Sequence, residues 1–272
     1  MKVRHLNCST IHPPCARLYD PGGQIFRRAD LVCHCLLLET GDGPVLVDTG
    51  LGMRYIEHRE ALGKGVFFFL KAPLDPEETA VRQIIRLGYK AEDVRHIVMT
   101  HLDLDHAGGL PDFPRARVHL LAPEHDAAMN PTKRERQRYV ADMWAHGADW
   151  VTHAVGGEDW FGFKDVQEIL PDVFLVPLIG HTRGHCGVAV KTGETWLLHC
   201  GDAYTDRSEV RPDGKRETPL GPRLYRRRIP VDYERNMTRQ RELRRLAREH
   251  GDVVTFFCAS DPHEFRLLSE GG

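Results

Sequence analysis

The chain has no apolar run approaching the roughly 18 residues that a transmembrane helix needs, so nothing in it argues for a helical membrane protein. Its first residues, MKVRHLNCST, lack the apolar core of a secretory signal. No sign of charge dominates: 37 basic residues face 39 acidic ones, for a formal charge of -2. That balance gives no general case for nucleic acid or an anionic membrane as partner. The seven cysteines are odd in number and their spacing builds no disulfide framework, so they read as reduced, buried small hydrophobes. Together these absences point to a cytoplasmic protein. There is no internal repeat and no low-complexity tract.

What is present is a chain of 272 residues, 41% hydrophobic, long enough for one large α/β domain. Cys33 to Thr40 is an apolar run, Gly41-Asp42-Gly43 a turn and Pro44 to Asp48 the return strand of a hairpin. Pro76 to Leu87 reads as a helix, capped by Asp75 and stopped by Gly88. Further strands are expected at His96–Thr100, Arg117–Leu121, Val173–Pro177, Gly187–Lys191, Thr195–Cys200 and Val253–Cys258. A helix opens near Pro123, and another runs from the Asp232 cap to about His250. Residues 130–165 read as a helical insertion with loops, and 206–230 as a polar, Pro- and Arg-rich loop. Strands that pair as hairpins while alternating with helices predict two mixed sheets covered by helices. The whole, residues 1–272, is expected to form a single domain.

The strongest chemical signal is HLDLDHAGG at 101–109, directly after an apolar strand. It packs His101, Asp103, Asp105 and His106 into six residues, with two glycines that let the backbone bend sharply. At a strand end, positions 101, 103 and 105 can point the same way. Two aspartates and two histidines beside a buried strand are costly without a compensating cation. Imidazole and carboxylate are ligands for zinc, iron and manganese. Three more strands end in a ligand type: VFLVPLIGH in His181, TWLLHCGD in Asp202 and VVTFFCASDPH in His263.

VDTG (47–50), HLDLDHAGG (101–109), GHTRGH (180–185), GDAYT (201–205) and the late His263 together resemble the ordered motifs of the metallo-β-lactamase superfamily, closest to its lactonase-like and glyoxalase-II-like hydrolases. The match spans roughly residues 30 to 265. The resemblance implies a four-layer αβ/βα sandwich of two mixed sheets flanked by helices, with two divalent metal ions, zinc before iron or manganese, in a cleft at the sheet edges. It implies His101, Asp103 and His181 around the first ion, Asp105, His106 and His263 around the second, and Asp202 bridging. Asp48 would orient a ligand by hydrogen bond. A metal-bound hydroxide would attack a lactone or other ester carbonyl of a small-molecule substrate, Tyr204 would polarise that carbonyl, and Asp105 or Asp202 would carry the proton to the leaving group.

One position departs from the pattern. Most hydrolases of the superfamily have His where this chain has Asp103. The extra carboxylate suits zinc, and suits iron or manganese as well. The flavodiiron oxidoreductases of the same superfamily have Glu there, which keeps a diiron oxidoreductase as an alternative. Thioester, β-lactam or phosphoester hydrolysis by the same metals is another, and a metal-stabilised binding protein the third. His185 and His199 read as structural, and Cys200 as a buried thiol. Arg226–Arg228 and the basic helix 235–248 read as a solvated amphipathic surface. Trp144, Trp150, Trp160, Phe161 and Phe163 read as packing of the insertion, or as a cap over an apolar substrate pocket. Val66–Leu70 (VFFFL) is either a contact surface or a buried segment, and oligomeric state leaves no mark in the sequence.

Overall fold

The computed structural model describes residues 1–58, 74–210 and 217–270. The VFFFL stretch lies outside the described residues. A six-stranded sheet forms from β1 (Lys2–Ile11), β2 (Leu31–Thr40), β3 (Gly43–Val47), β4 (His96–Val98), β5 (Arg117–Leu121) and β6 (Asp149–His153), in that spatial order. The first three strands pair antiparallel, and β3 to β6 pair parallel. A second six-stranded sheet holds β7 (Glu158–Trp160), β8 (Phe163–Leu170), β9 (Val173–Pro177), β10 (Cys186–Thr192), β11 (Thr195–His199) and β12 (Val254–Phe257). Only β11 and β12 pair parallel there. Both sheets are mixed, as the hairpin and helix signals predict.

Strand period explains the layering. Alternate side chains of β2 point to opposite faces. Cys35 and Leu37 enter an outer core with Ile84, Ile97 and Val118, while Leu36 and Leu38 enter an inner core. There they meet Val173, Leu175, Val188 and Val190 of the second sheet. The outer face of the second sheet packs Val176, Ala189 and Leu198 against Leu243 and Leu246 of a long helix. Three apolar cores between four layers require strands buried on both faces, which is why β2 is a continuous apolar run rather than an alternating one.

The helices are α1 (Met53–Glu57), α2 (Ala80–Arg86), α3 (Leu104–Ala107), α4 (Ala122–Met129), α5 (Leu220–Arg228), α6 (Tyr233–Glu249) and α7 (Pro262–Ser269). Several sequence expectations need correction. The helix expected over 76–87 is divided: Pro76–Glu78 forms a 3-10 turn under the Asp75 cap, and extended Thr79 caps α2 anew through Arg82 N. Only the first part of the 130–165 stretch is helical, as short 3-10 turns at Glu135–Gln137 and Ala141–Trp144; the rest supplies β6, β7 and the start of β8. Its aromatic residues are packing residues: Trp144, on a 3-10 turn, and Trp150, on β6, lie against the first outer core, and Trp160 and Phe163 lie in the second. The Arg-rich 206–230 stretch contains α5 rather than only loop. Among the described residues no helix is long and apolar enough to cross a membrane.

Leu38 is fully buried in the inner core. Truncation to alanine removes apolar area from both sheets at once and leaves a cavity. Leu38→Ala is expected to lower unfolding free energy by about 2–5 kcal/mol, read as a lower urea midpoint at unchanged slope.

Candidate metal centre

The site forms where β3 and β4 end. Asp48 sits just past β3 with φ of 56°, a left-handed conformation that turns its carboxylate inward. Thr100 donates to it twice, from the backbone N to Oδ1 and from Oγ1 to Oδ2, each at 2.8 Å. His106 Nδ1 lies 2.7 Å from Asp48 Oδ2. One buried carboxylate thus joins the end of β4 to α3 and leaves His106 Nε2 facing inward, 3.5 Å from Asp202 Oδ1. The chain leaves its strand after Val98, so Asp103 begins α3 as its N-cap, with Asp105 and His106 in the single helical turn. The convergence of these ligand types comes from a helical turn rather than from strand alternation.

The second sheet brings the remaining groups. His181 Nε2 lies 3.1 Å from Asp103 Oδ2 and 3.6 Å from Asp202 Oδ2, and His101 Nε2 lies 3.4 Å from Asp103 Oδ2. Ligand atoms of His101, His181 and Asp202 all fall within 4.8 Å of one another. Gly201, just before Asp202, has φ of 51°, and a Cβ there would stand 2.6 Å from His185 Nε2. That histidine accepts from Asp202 N at 2.9 Å and sets its second nitrogen against Leu178 O. His199 bridges His34 O and Gly201 N, and Cys200 lies in the second outer core. His185 and His199 therefore shape the Asp202 turn.

Electrostatics follow from burial. Burial pushes His101 down to about 4. Burial, opposed by His106 and reinforced by the Asp202 and Asp103 carboxylates, pushes Asp105 up to about 6. Asp202 is also buried, yet His106, His181 and His101 hold it well below the usual carboxylate range. His101 Nε2, Asp103 Oδ1 and His181 Nδ1 are buried without a hydrogen-bond partner. Buried polar atoms are normally paired. His101 Nε2 and Asp103 Oδ1, with His181 and Asp202 beside them, are imidazole and carboxylate donors of a kind that fits a divalent metal ion.

His263 enters from the first turn of α7, its N–H donating to the Asp261 cap. It lines a cavity of about 810 Å³ that is bordered by Asp206, Arg207, His12 and Arg28. Tyr204 does not face the carboxylate cluster. It is buried in the second outer core, with its hydroxyl 3.0 and 3.1 Å from the two carboxylate oxygens of Glu264. Tyr225 of α5 is the tyrosine that meets the carboxylates: its hydroxyl donates to Asp202 Oδ2 at 2.9 Å, and its ring lies nearly parallel to that of His181.

Three residues here carried no sequence signal. Tyr225 lies among arginines, in a stretch whose helix is visible only through the shared face of Gly221, Pro222 and Tyr225. Arg138 follows a 3-10 turn, and its Nη1 donates to Asp103 Oδ2 at 2.6 Å. Glu124, in the first turn of α4, accepts from Leu102 N and Tyr139 Oη on one oxygen and from Thr182 Oγ1 and Gly184 N on the other. It links the loop after His101 to the loop after His181. The close approach requires Gly184, where a Cβ would stand 2.1 Å from Glu124 N.

The sequence profile described as the Metallo-beta-lactamase superfamily matches residues 28–249. The chain belongs to that superfamily. It is 42% identical to a protein of Mycobacterium tuberculosis named Probable metallo-hydrolase, across 99% of this chain and 83% of the relative. It is 30% identical to an N-acyl homoserine lactonase of Bacillus cereus, across 62% of each chain. Among solved structures, an N-acyl homoserine lactone hydrolase with the product N-hexanoyl-L-homoserine at its catalytic metal centre superposes with TM-score 0.74, covering 98% of this chain and 95% of that one at 21% identity. A dizinc quorum-quenching lactonase superposes with TM-score 0.65 at 17% identity, covering 96% and 90%. These superpositions show the same sandwich fold.

Glu124→Gln would put an amide NH2 against two donors of the ligand loops. It is expected to cost about 1–3 kcal/mol of stability for the buried groups left unpaired, visible as a lower thermal midpoint. Glu124→Asp, which keeps the acceptors but shortens their reach, should recover part of the loss.

Proposed function

We propose that this metallo-hydrolase opens a lactone or another ester of a small molecule. The observation that carries the reading is the convergence of His101, Asp103, His106, His181 and Asp202 at one end of the sandwich, with ligand atoms left unpaired. Likeness to the N-acyl homoserine lactonases supports the lactone as substrate class. The metal ions, for which zinc is our assignment, would supply an acidified water and a Lewis acid for the carbonyl. His101, Asp103 and His181 would hold one ion, Asp105, His106 and His263 the other, and Asp202 both. Support for His263 is its place on the cavity beside Thr205 and Asp206, a few residues beyond Asp202.

The protein's own groups have separable tasks. Asp48 fixes the His106 ring through Nδ1, so that Nε2 is the nitrogen available as ligand. Tyr225 presents a hydroxyl beside Asp202 that can donate to a substrate oxygen, the task first expected of Tyr204. Asp105 or Asp202, at the same end of the sandwich, would carry the proton to the leaving group. The inner core joins both sheets, which supports reading residues 1–272 as one domain. The seven free cysteines support a cytoplasmic hydrolase, and the balanced charge supports a small-molecule substrate over nucleic acid or an anionic membrane as partner.

A second reading rests on Asp103. A carboxylate in the first ligand set also suits iron, and a diiron oxidoreductase would use the same residues. Metal content measured beside a panel of lactones, esters, thioesters and phosphoesters separates the two. About two zinc ions per chain with lactone turnover is the expected result. Iron with oxygen-dependent turnover and no hydrolysis overturns it. Asp105→Asn and His106→Ala should each reduce kcat/KM for the best lactone by about two to four orders of magnitude, and full activity in either variant would remove the hydrolytic reading.

A further inference from the structure

Arg138 contacts two members of the assigned ligand set, Asp103 and His181. Its Nη1 lies 2.6 Å from Asp103 Oδ2 and 2.8 Å from His181 Nε2. Its Nη2 donates to Ile229 O, the carbonyl just past α5, at 2.9 Å. The side chain is therefore held from both ends, between the 3-10 turn that carries it and the end of α5.

The chemistry of these contacts decides what they mean. A guanidinium has donors and no acceptor, so in the Arg138–His181 contact Nε2 must offer its lone pair. A ring nitrogen has only one, and a metal ion needs the same one. Asp103 Oδ2 likewise already holds a positive charge at hydrogen-bond distance. His106, Asp105 and Asp202 are in a different situation. His106 is tied through Nδ1 to Asp48 with its Nε2 3.5 Å from Asp202 Oδ1, and Asp202 Oδ2 accepts from the neutral Tyr225 hydroxyl; among the described residues neither meets an arginine or lysine at hydrogen-bond distance.

We propose that the Arg138 guanidinium and the first metal ion are alternative cations for Asp103 and His181, so that the two metal positions differ in affinity and the one at Asp103 is the weaker. This rests on the ligand assignment above and deepens it. At Asp103 a carboxylate and a guanidinium stand together, and the pair carries no net charge. The carboxylate needs a cation when the ion is away, and Arg138 supplies it. Loading the first position then requires the Arg138–His181 bond to break and the guanidinium to turn aside toward the end of α5.

The test is a metal titration that needs no substrate. Apoprotein prepared by chelation is titrated with zinc by calorimetry and with cobalt by visible absorption. The wild type should bind in two separated steps. In Arg138→Gln and Arg138→Met, each checked for folding by thermal melting, the weaker step should tighten by about tenfold or more while the stronger stays in place. Two ions bound with one affinity in the wild type overturn the proposal, whether or not the variants fold. So does a weaker step that is unchanged or loosened in the variants, because Arg138 would then be positioning the ligands rather than competing for them. A wild type that binds no ion in either titration overturns the ligand assignment itself, an outcome distinct from unchanged stoichiometric binding.

Discussion

Three carboxylates, Asp103, Asp105 and Asp202, share one enclosed end of the sandwich, and the arrangement depends on positive charge to hold them there. Taking a carboxylate out of water without a partner costs several kcal/mol even after relaxation. The structure answers this with His106, held toward its charged form by Asp48 and Asp105, with the Arg138 guanidinium at Asp103, and with a set of imidazole and carboxylate donors that fits divalent ions. Asp105, where burial and the neighbouring Asp202 and Asp103 outweigh His106, is the one of the three pushed upward.

Two further buried carboxylates carry structure rather than ligand roles. Asp48 ties the end of β4 to α3, and Glu124 ties the loop after His101 to the loop after His181. Each lies between elements that come from different parts of the chain. Together they turn strand ends into a fixed cup, so that the ligand groups do not depend on loop stiffness alone. Every acceptor oxygen of both carboxylates is used, which is the condition for burying such groups without a large penalty. The interlocked loops also explain why small residues are needed at Gly184, against the Glu124 backbone, and at Gly201, against the His185 and Thr100 side chains.

Much of this was legible in the residues themselves. The strands Arg117–Leu121 and Val173–Pro177 coincide with apolar runs, and α6 coincides with the Asp232 cap and the Gly251 stop. The ligand types were visible because four of them crowd into HLDLDH. The raw number of histidines was not the signal. His5 with His34, and His96 with His119 and His153, spend their ring nitrogens on one another across neighbouring strands. Where reading failed, local chemistry was misleading. The aromatic-rich 149–170 segment lacks clean alternation because its strands are short and bulged at the sheet edge. Arginines masked the helix that carries Tyr225.

By itself the sequence determined the layer architecture, since strands buried on both faces and capped amphipathic helices have few ways to exclude water. It also determined which residue types gather after the strands. Only the tertiary structure decided which tyrosine faces the carboxylates, because Tyr204 and Tyr225 differ in what packs around them rather than in local pattern. The same holds for Arg138 and Glu124, which lie 35 and 22 residues from the loop positions they contact. Such pairings depend on where two sheets and a short 3-10 turn come to rest in space, and no periodicity within either segment encodes that meeting.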